Sequence, residues 1–188
     1  MNTRGSYIVT FTGRAFYPLD ARPEDVNIFD IAHALSRVCR YGGHTREHYS
    51  VAEHSVRCSL IVAPSNALCA LLHDATEAYI GDMVRPLKVN MPQYREVEDH
   101  VWRAVASKFG LPEAMPAEVK KADQILLRTE QRDLMPPCPF DGQLYGDEET
   151  ARLVEVIQPW TANFARAQFM HRFEELKNTT LLLARNGV

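Results

Sequence analysis

The spacing of apolar residues predicts a mostly helical chain. From Pro23 onward, apolar residues recur three or four positions apart, as they do along one face of an α-helix. Glycines, prolines and capping residues divide this pattern into separate segments. The predicted helices run from Ile28 to before Gly42, from Ser50 to Pro64, from Ser65 to Gly81, from about Tyr94 to Gly110, from Pro116 to before Pro136, and from about Trp160 into the 180s.

Two parts of the chain lack the helical spacing. Residues 6–18 are typical of two short strands around a Gly13-Arg14 turn. Residues 82–92 contain two prolines and predict an ordered loop. We therefore predict a single all-α domain, a helical bundle over residues 1–188. Its parts are a small N-terminal β-hairpin at about 1–22, a helical core at about 24–135, and a C-terminal loop and long helix at about 140–188.

Composition and charge exclude several classes of function. The 21 Lys and Arg residues against 24 Asp and Glu give a formal net charge of −3, so we expect no nucleic-acid partner. The longest apolar run has six residues, far below the ~18 of a membrane span, so we expect no membrane partner. No apolar signal region opens the chain. The cysteines form no Cys-x-x-Cys pair and are typical of reduced residues in a cytoplasmic protein: Cys39, Cys58, Cys69 and Cys138.

Four potential metal ligands fall on three successive predicted helices: His54, the adjacent pair His73-Asp74, and Asp123. Asp74 follows an apolar run, and a bare charge buried there is costly, so it must be paired or bind an ion. Considered alone, His54 has the alternative interpretation of an ordinary half-buried helix histidine, and Asp123 that of a helix cap or a member of an ion pair. Together, two carboxylates and two neutral imidazoles balance a divalent cation and leave positions for water and substrate, as metal-assisted hydrolysis requires.

The ordered set and its surroundings resemble the HD-domain metal-dependent phosphohydrolases. The matching stretches, which lie within about residues 6–135, are Ala32–Arg37, Val51–Ser55, His73–Glu77, Gly81-Asp82 with Pro86–Lys88, and Lys121–Asp123. Within that superfamily they look like the small bacterial 5′-deoxynucleotidases and the phage-type dATP triphosphohydrolases. The resemblance implies one divalent ion held by His54, His73, Asp74 and Asp123. This ligand set does not distinguish Co, Mn, Zn, Ni, Fe and Mg.

The resemblance also implies roles for residues around the ion. Glu77 or Asp82 would orient or deprotonate the attacking water. Lys88 and Lys121 match the family's phosphate-binding lysines, and the neighbouring Lys120 is an alternative to Lys121.

Arg40-Tyr41 matches an Arg-Trp pair in which the arginine binds phosphate and the aromatic ring packs on deoxyribose. Tyrosine in place of tryptophan leaves the sugar preference open, because its hydroxyl is able to bond a ribose. His44 and His48, in the loop that follows, are expected to border the base or to lie on the surface.

The sequence thus predicts a cytoplasmic hydrolase that removes phosphate from a small-molecule deoxynucleotide. Two substrates stay open, a 5′-monophosphate (5′-nucleotidase) and a triphosphate (dATP triphosphohydrolase). The alternative is a non-catalytic nucleotide-sensing HD domain. We also expect a homo-oligomer, a dimer or larger, because the last helix has more apolar residues than one small domain needs: Trp160, Phe164, Phe169, Phe173 and Leu176.

Overall fold

The structure, a computed structural model, describes residues 4–137 and 151–185. A two-stranded antiparallel sheet of β1 (Ile8–Val9) and β2 (Ala15–Phe16) precedes the helices, with Ile8 opposite Phe16. The helices are α1 (Ile28–Leu35), α2 (Val51–Leu60), α3 (Ala67–Leu72), α4 (Glu77–Ile80), α5 (Arg85–Lys88), α6 (Pro92–Phe109), α7 (Ala117–Leu134) and α8 (Ala162–Arg185). The predicted mostly helical chain with a small N-terminal hairpin is therefore confirmed.

Helix α2 lies at the centre of the fold. It packs against α3, α7 and α8, while α1 packs against α4 and α8. The core between these helices contains fully buried side chains such as Leu71, Leu72 and Phe169. Burying one such side chain contributes about 1.5–3 kcal/mol to the free energy of folding. The packing of this core therefore holds in place the helices that carry the metal-ligand candidates.

The start of α2 shows the predicted cap. The Ser50 side chain accepts the Glu53 amide at 3.1 Å. The Glu53 carboxylate does not reach back to Ser50, as it would in a full capping box. It accepts Arg57 at 2.7 Å and the backbone amide of Trp160 at 2.7 Å instead. Glu53 therefore also connects the chain that leads into α8 with the helix that carries His54.

The predicted helix from Ser65 to Gly81 is wrong as a continuous element. The chain forms a 3-10 turn at Pro64–Asn66, then α3, a turn at 73–76, and α4. The His73 imidazole donates from Nδ1 to the Ala70 carbonyl at 2.7 Å, close to the turn in which α3 ends. A side chain that bonds a backbone group in this way competes with the helical ladder. His73 and Asp74 therefore lie in a turn at the end of α3.

Two further boundaries differ from the predictions. The predicted loop at 82–92 contains α5 and the first residue of α6, because Pro86 and Pro92 occupy first-turn positions where proline is tolerated. Helix α1 ends at Leu35, several residues earlier than the predicted end just before Gly42. The next residue, Ser36, donates its hydroxyl to the His33 carbonyl at 2.8 Å, a bond that competes with the helical ladder.

Three of the four cysteines lie in the described part of the chain. Cys58 and Cys69 are buried, Cys39 is partly exposed, and all three are free thiols; Cys138 lies outside the described residues. Among the helices in the described ranges, none combines the length and apolarity needed to cross a membrane.

Candidate metal centre

Three separate elements bring His54, His73 and Asp123 together. They come from α2, the end of α3, and α7 respectively. One ligand atom from each lies within 4.8 Å of the other two. The Nε2 atom of His54 is 3.3 Å from Nε2 of His73 and 3.2 Å from Oδ1 of Asp123. These distances suit donor atoms that share one small cation.

Asp74 lies beside the same atoms. Its Oδ2 is 3.2 Å from His73 Nε2 and 3.7 Å from His54 Nε2. This oxygen is buried and has no hydrogen-bond partner within the described residues. Burial opposes its ionisation, yet the neighbouring His73, His54 and Arg40 together hold the pKa of Asp74 below its ordinary value. The fourth predicted ligand is therefore an ionised carboxylate that faces both imidazoles.

Both imidazoles use Nδ1 for a hydrogen bond within the protein. His54 Nδ1 lies 2.6 Å from Glu130 Oε1, and His73 Nδ1 lies 2.7 Å from the Ala70 carbonyl. A carbonyl and a carboxylate only accept, so each Nδ1 bears a proton and donates it. The Nε2 atoms of both rings consequently point at each other and at the two carboxylates. This donor set, N2O2 in type, fits a divalent cation.

The surroundings of His54 favour positive charge at its free nitrogen. Burial and the Arg40 guanidinium lower its pKa, but Glu130 and Asp123 outweigh them and raise the pKa of His54 to about 9. Nε2 therefore faces a place where a proton or a metal cation is stabilised.

Glu77 and Asp82 are two carboxyls with raised pKa values near this group. Glu77 is buried at the start of α4, and its Oε2 has no hydrogen-bond partner among the described residues. Burial, followed by the charges of Asp74 and Asp82, raises its pKa well above the ordinary value. Burial likewise raises the pKa of Asp82. Buried carboxyls with raised pKa values beside a cluster of potential ligands are candidates for an acid or base in catalysis.

Arg40 brings a positive charge to the ligand group. Its Nη2 donates to Glu130 Oε2 at 3.2 Å and lies 3.9 Å from Asp123 Oδ1. Its Nη1 lies 3.8 Å from Asp74 Oδ2. The side chain is mostly buried among these carboxylates. A guanidinium in such a position is able to bind an anion that also contacts a cation in the ligand group.

Tyr41 follows Arg40 with its backbone in the left-handed region, at φ 55° and ψ 30°. Its hydroxyl donates to Glu130 Oε2 at 3.0 Å and lies 3.3 Å from the Leu127 carbonyl. The hydroxyl therefore points toward α7 and is used within the protein.

The predicted phosphate lysines are placed differently. Lys88 on α5 forms an ion pair with Glu98 on α6, with 2.5 Å between Nζ and Oε1. Lys121 is exposed on α7, as is Lys120. Because Lys121 and Asp123 are two residues apart on a helix, their side chains point about 200° apart. Unlike Arg40, neither Lys88 nor Lys121 has a hydrogen bond or ion pair with the ligand group among the described contacts.

The loop histidines are both exposed. His48 lies with Nδ1 3.4 Å from Cys39 Sγ and Nε2 3.3 Å from the Ser36 carbonyl, while His44 ends the 3-10 turn at Arg40–Gly43. Their exposure agrees with the surface alternative, and a place beside the base stays a prediction.

Glu130 is the residue of this cluster that sequence reasoning missed. It is fully buried on α7 and contacts His54, Arg40 and Tyr41. The available signal is its spacing, since it lies seven residues after Asp123, or two turns along the same helix face.

Comparison with known proteins places the chain in a family. No protein-family model matches it. It is 41% identical over 173 residues to the uncharacterized protein YfdR of Escherichia coli K12, covering 91% of this chain and 96% of YfdR. The chain belongs to the YfdR family. The uncharacterized protein RCAP_rcc00048 of Rhodobacter capsulatus is 42% identical over 121 residues, 59% of this chain and 62% of that protein. These names state no activity.

Proposed function

We propose that this member of the YfdR family is an HD-domain hydrolase that uses a divalent cation to remove phosphate from deoxynucleotides. The observation that carries the proposal is the convergence of His54 and His73 Nε2 with the carboxylates of Asp74 and Asp123. Their order along the chain and the neighbouring acid and arginine match the pattern of the phosphohydrolases that the sequence resembles.

Each side chain has a role that its surroundings support. His54, His73, Asp74 and Asp123 would hold a divalent cation, which would supply Lewis acidity toward a phosphoryl oxygen and toward water. Arg40 binds and orients the phosphate, since its guanidinium lies within 4 Å of Asp74 and Asp123. Glu77 accepts the proton of the attacking water at Oε2, the oxygen without an internal partner among the described residues. Asp82 is the alternative proton acceptor.

Between the two substrates, the positions of the cations favour a 5′-monophosphate. Arg40 is the one predicted phosphate-binding cation with ion pairs to the ligand group in the described part of the chain. Lys88 is paired with Glu98, and Lys121 is exposed on α7. A triphosphate has more charge to neutralise than one arginine and one cation supply.

Product analysis tests the function. The purified protein is incubated with Mn²⁺ or Co²⁺ and either dAMP or dATP, and the products are separated by chromatography. We expect deoxyadenosine and phosphate from dAMP, faster than deoxyadenosine and tripolyphosphate from dATP. Asp123→Ala serves as the control for a contaminating phosphatase. Binding of a nucleotide without turnover would favour the sensing domain over the enzyme.

A further inference from the structure

One buried carboxylate connects the metal-ligand group with the loop that precedes it. Glu130 is fully buried, and both of its oxygens accept hydrogen bonds. Oε1 accepts from Nδ1 of His54 at 2.6 Å. Oε2 accepts from Nη2 of Arg40 at 3.2 Å and from the hydroxyl of Tyr41 at 3.0 Å. The three donors come from two segments, the Arg40–Gly43 turn and α2, which are joined by residues 44–50.

The first contact determines the orientation of His54. Because the carboxylate only accepts, it holds the ring proton at Nδ1 and turns Nε2 toward His73 and Asp123. A carboxylate in this place also makes the free nitrogen a stronger donor, and its loss costs about 10–100-fold in metal affinity. His73 obtains the same orientation from the Ala70 carbonyl, which no side-chain substitution removes.

The other two contacts hold the Arg40–Gly43 turn. Among the described residues other than glycine, Tyr41 is the one with a positive φ. A bulky residue in that region is strained by about 1–3 kcal/mol and persists when the surroundings hold it. The bonds of Arg40 and Tyr41 to Glu130 link this turn to α7. The Tyr41 hydroxyl near the Leu127 carbonyl and the Arg40–Asp123 ion pair, at 3.9 Å, are longer contacts with the same helix.

We propose that Glu130 is a positioning residue that orients a metal ligand and holds the Arg40–Tyr41 arm with one carboxylate. The Tyr41 hydroxyl is thereby engaged within the protein and is not free to bond the ribose of a nucleotide. The part that concerns the sugar rests on the proposed function. The part that concerns the cation rests on the ligand group alone.

The test compares Glu130→Gln with a matched control, Glu53→Gln. Glu53 is also fully buried and lies on the same helix as His54, but its partners are Arg57 and Trp160. Co²⁺ affinity is measured by chelator competition, and the visible absorption of the bound Co²⁺ reports its ligands. We expect Glu130→Gln to bind Co²⁺ about 10–100-fold more weakly than wild type. Glu53→Gln should keep the wild-type affinity and spectrum. Equal affinity in Glu130→Gln and wild type, an equal loss in both variants, or no Co²⁺ binding by wild type would overturn the proposal.

Hydrogen exchange followed by mass spectrometry tests the second role. Peptides covering residues 39–44 should exchange faster in Glu130→Gln than in wild type or Glu53→Gln. Unchanged exchange there would refute the role in holding the turn.

A measurement on the wild type applies even where Glu130→Gln does not fold. Nitrogen-15 spectra of the histidine rings, recorded with Zn²⁺ bound, should show the His54 proton on Nδ1; a proton on Nε2 would overturn the assignment. None of these readouts involves a nucleotide. A protein that passes them but hydrolyses neither dAMP nor dATP would therefore refute the proposed function and leave the role of Glu130 standing.

Discussion

The chemistry of the candidate metal centre depends on which nitrogen of each imidazole bears the proton. His54 and His73 both donate from Nδ1, and their Nε2 atoms lie 3.3 Å apart. Without a cation or a proton between them, two lone pairs would face each other beside two carboxylates. A proton or a metal cation between these atoms therefore stabilises the ligand group.

The candidate ligands could be named from the sequence, but the side chains they contact could not. His73-Asp74 follows an apolar run and Asp123 lies in an apolar stripe, so the adjacent residues predict buried polar groups. The side chains of His73 and Asp74 are mostly buried, whereas that of Asp123 is 41% exposed. The contacts of Glu130 and Lys88 join residues on different helices. Such contacts depend on tertiary packing, which the periodicity of one segment does not encode.

Asp74→Ala is expected to abolish most of the cation binding. Loss of a group that supports a ligand costs about 10–100-fold in affinity, and loss of the ligand itself should cost more. Mass spectrometry of metals in protein dialysed against Mn²⁺ or Co²⁺ measures this, with Asp99→Asn on the exposed face of α6 as the control. Equal metal content in Asp74→Ala and wild type would remove Asp74 from the ligand group.

Glu77→Gln is expected to lower the turnover of dAMP by about two to four orders of magnitude, the usual contribution of a general base. The fold and the bound cation should be retained, because glutamine replaces a carboxyl whose ionisation burial already disfavours. Steady-state kinetics, metal content and the melting temperature check the three parts. Wild-type turnover in this variant would transfer the role to Asp82.

At the scale of elements, the hydrophobic pattern located the helices, and local side-chain bonds decided where they end. The apolar run from Ala67 to Leu72 is helical, as predicted. The continuation through His73 is interrupted, and its imidazole bonds the Ala70 carbonyl. Helix propensity describes the average behaviour of a residue and does not include such a bond. The interruption also lies at His73 and Asp74, two of the candidate ligands.

The packing of α5 against α6 provides a test of Lys88. The Lys88–Glu98 pair is partly buried, and we expect Lys88→Gln and Glu98→Gln each to lower the free energy of unfolding by about 0.5–1 kcal/mol. The KM for dAMP should change little in either variant. Urea unfolding and steady-state kinetics give both quantities. A rise in KM in Lys88→Gln alone would support the phosphate contact predicted from the sequence.

At the scale of the whole molecule, α8 completes the core. It packs against α1, α2 and α3, and its residues Phe169, Phe173 and Leu176 are buried, while Phe164 is about half exposed. The apolar surface that suggested an oligomer is thus largely used within one chain. The homo-oligomer stays a prediction, which light scattering at micromolar concentration tests.

Phe169→Ala is expected to destabilise the protein by about 3–5 kcal/mol, because it leaves a cavity where α8 meets the core. Phe164→Ala, at an exposed position on the same helix, should change stability far less. Denaturant unfolding measures both. Similar losses in the two variants would contradict the packing of α8 described above.

The three hydrogen bonds to Glu130 also limit how the family can change during evolution. Replacing Tyr41 by phenylalanine removes one donor and leaves the carboxylate bonded to His54 and Arg40. Replacing Glu130 removes the nearest acceptor of all three donors at once, and the fully buried Nδ1 of His54 loses its acceptor. Among aligned sequences of the YfdR family, position 41 should therefore vary while position 130 stays acidic. Sequences that keep tyrosine at position 41 but have an apolar residue at position 130 should be rare.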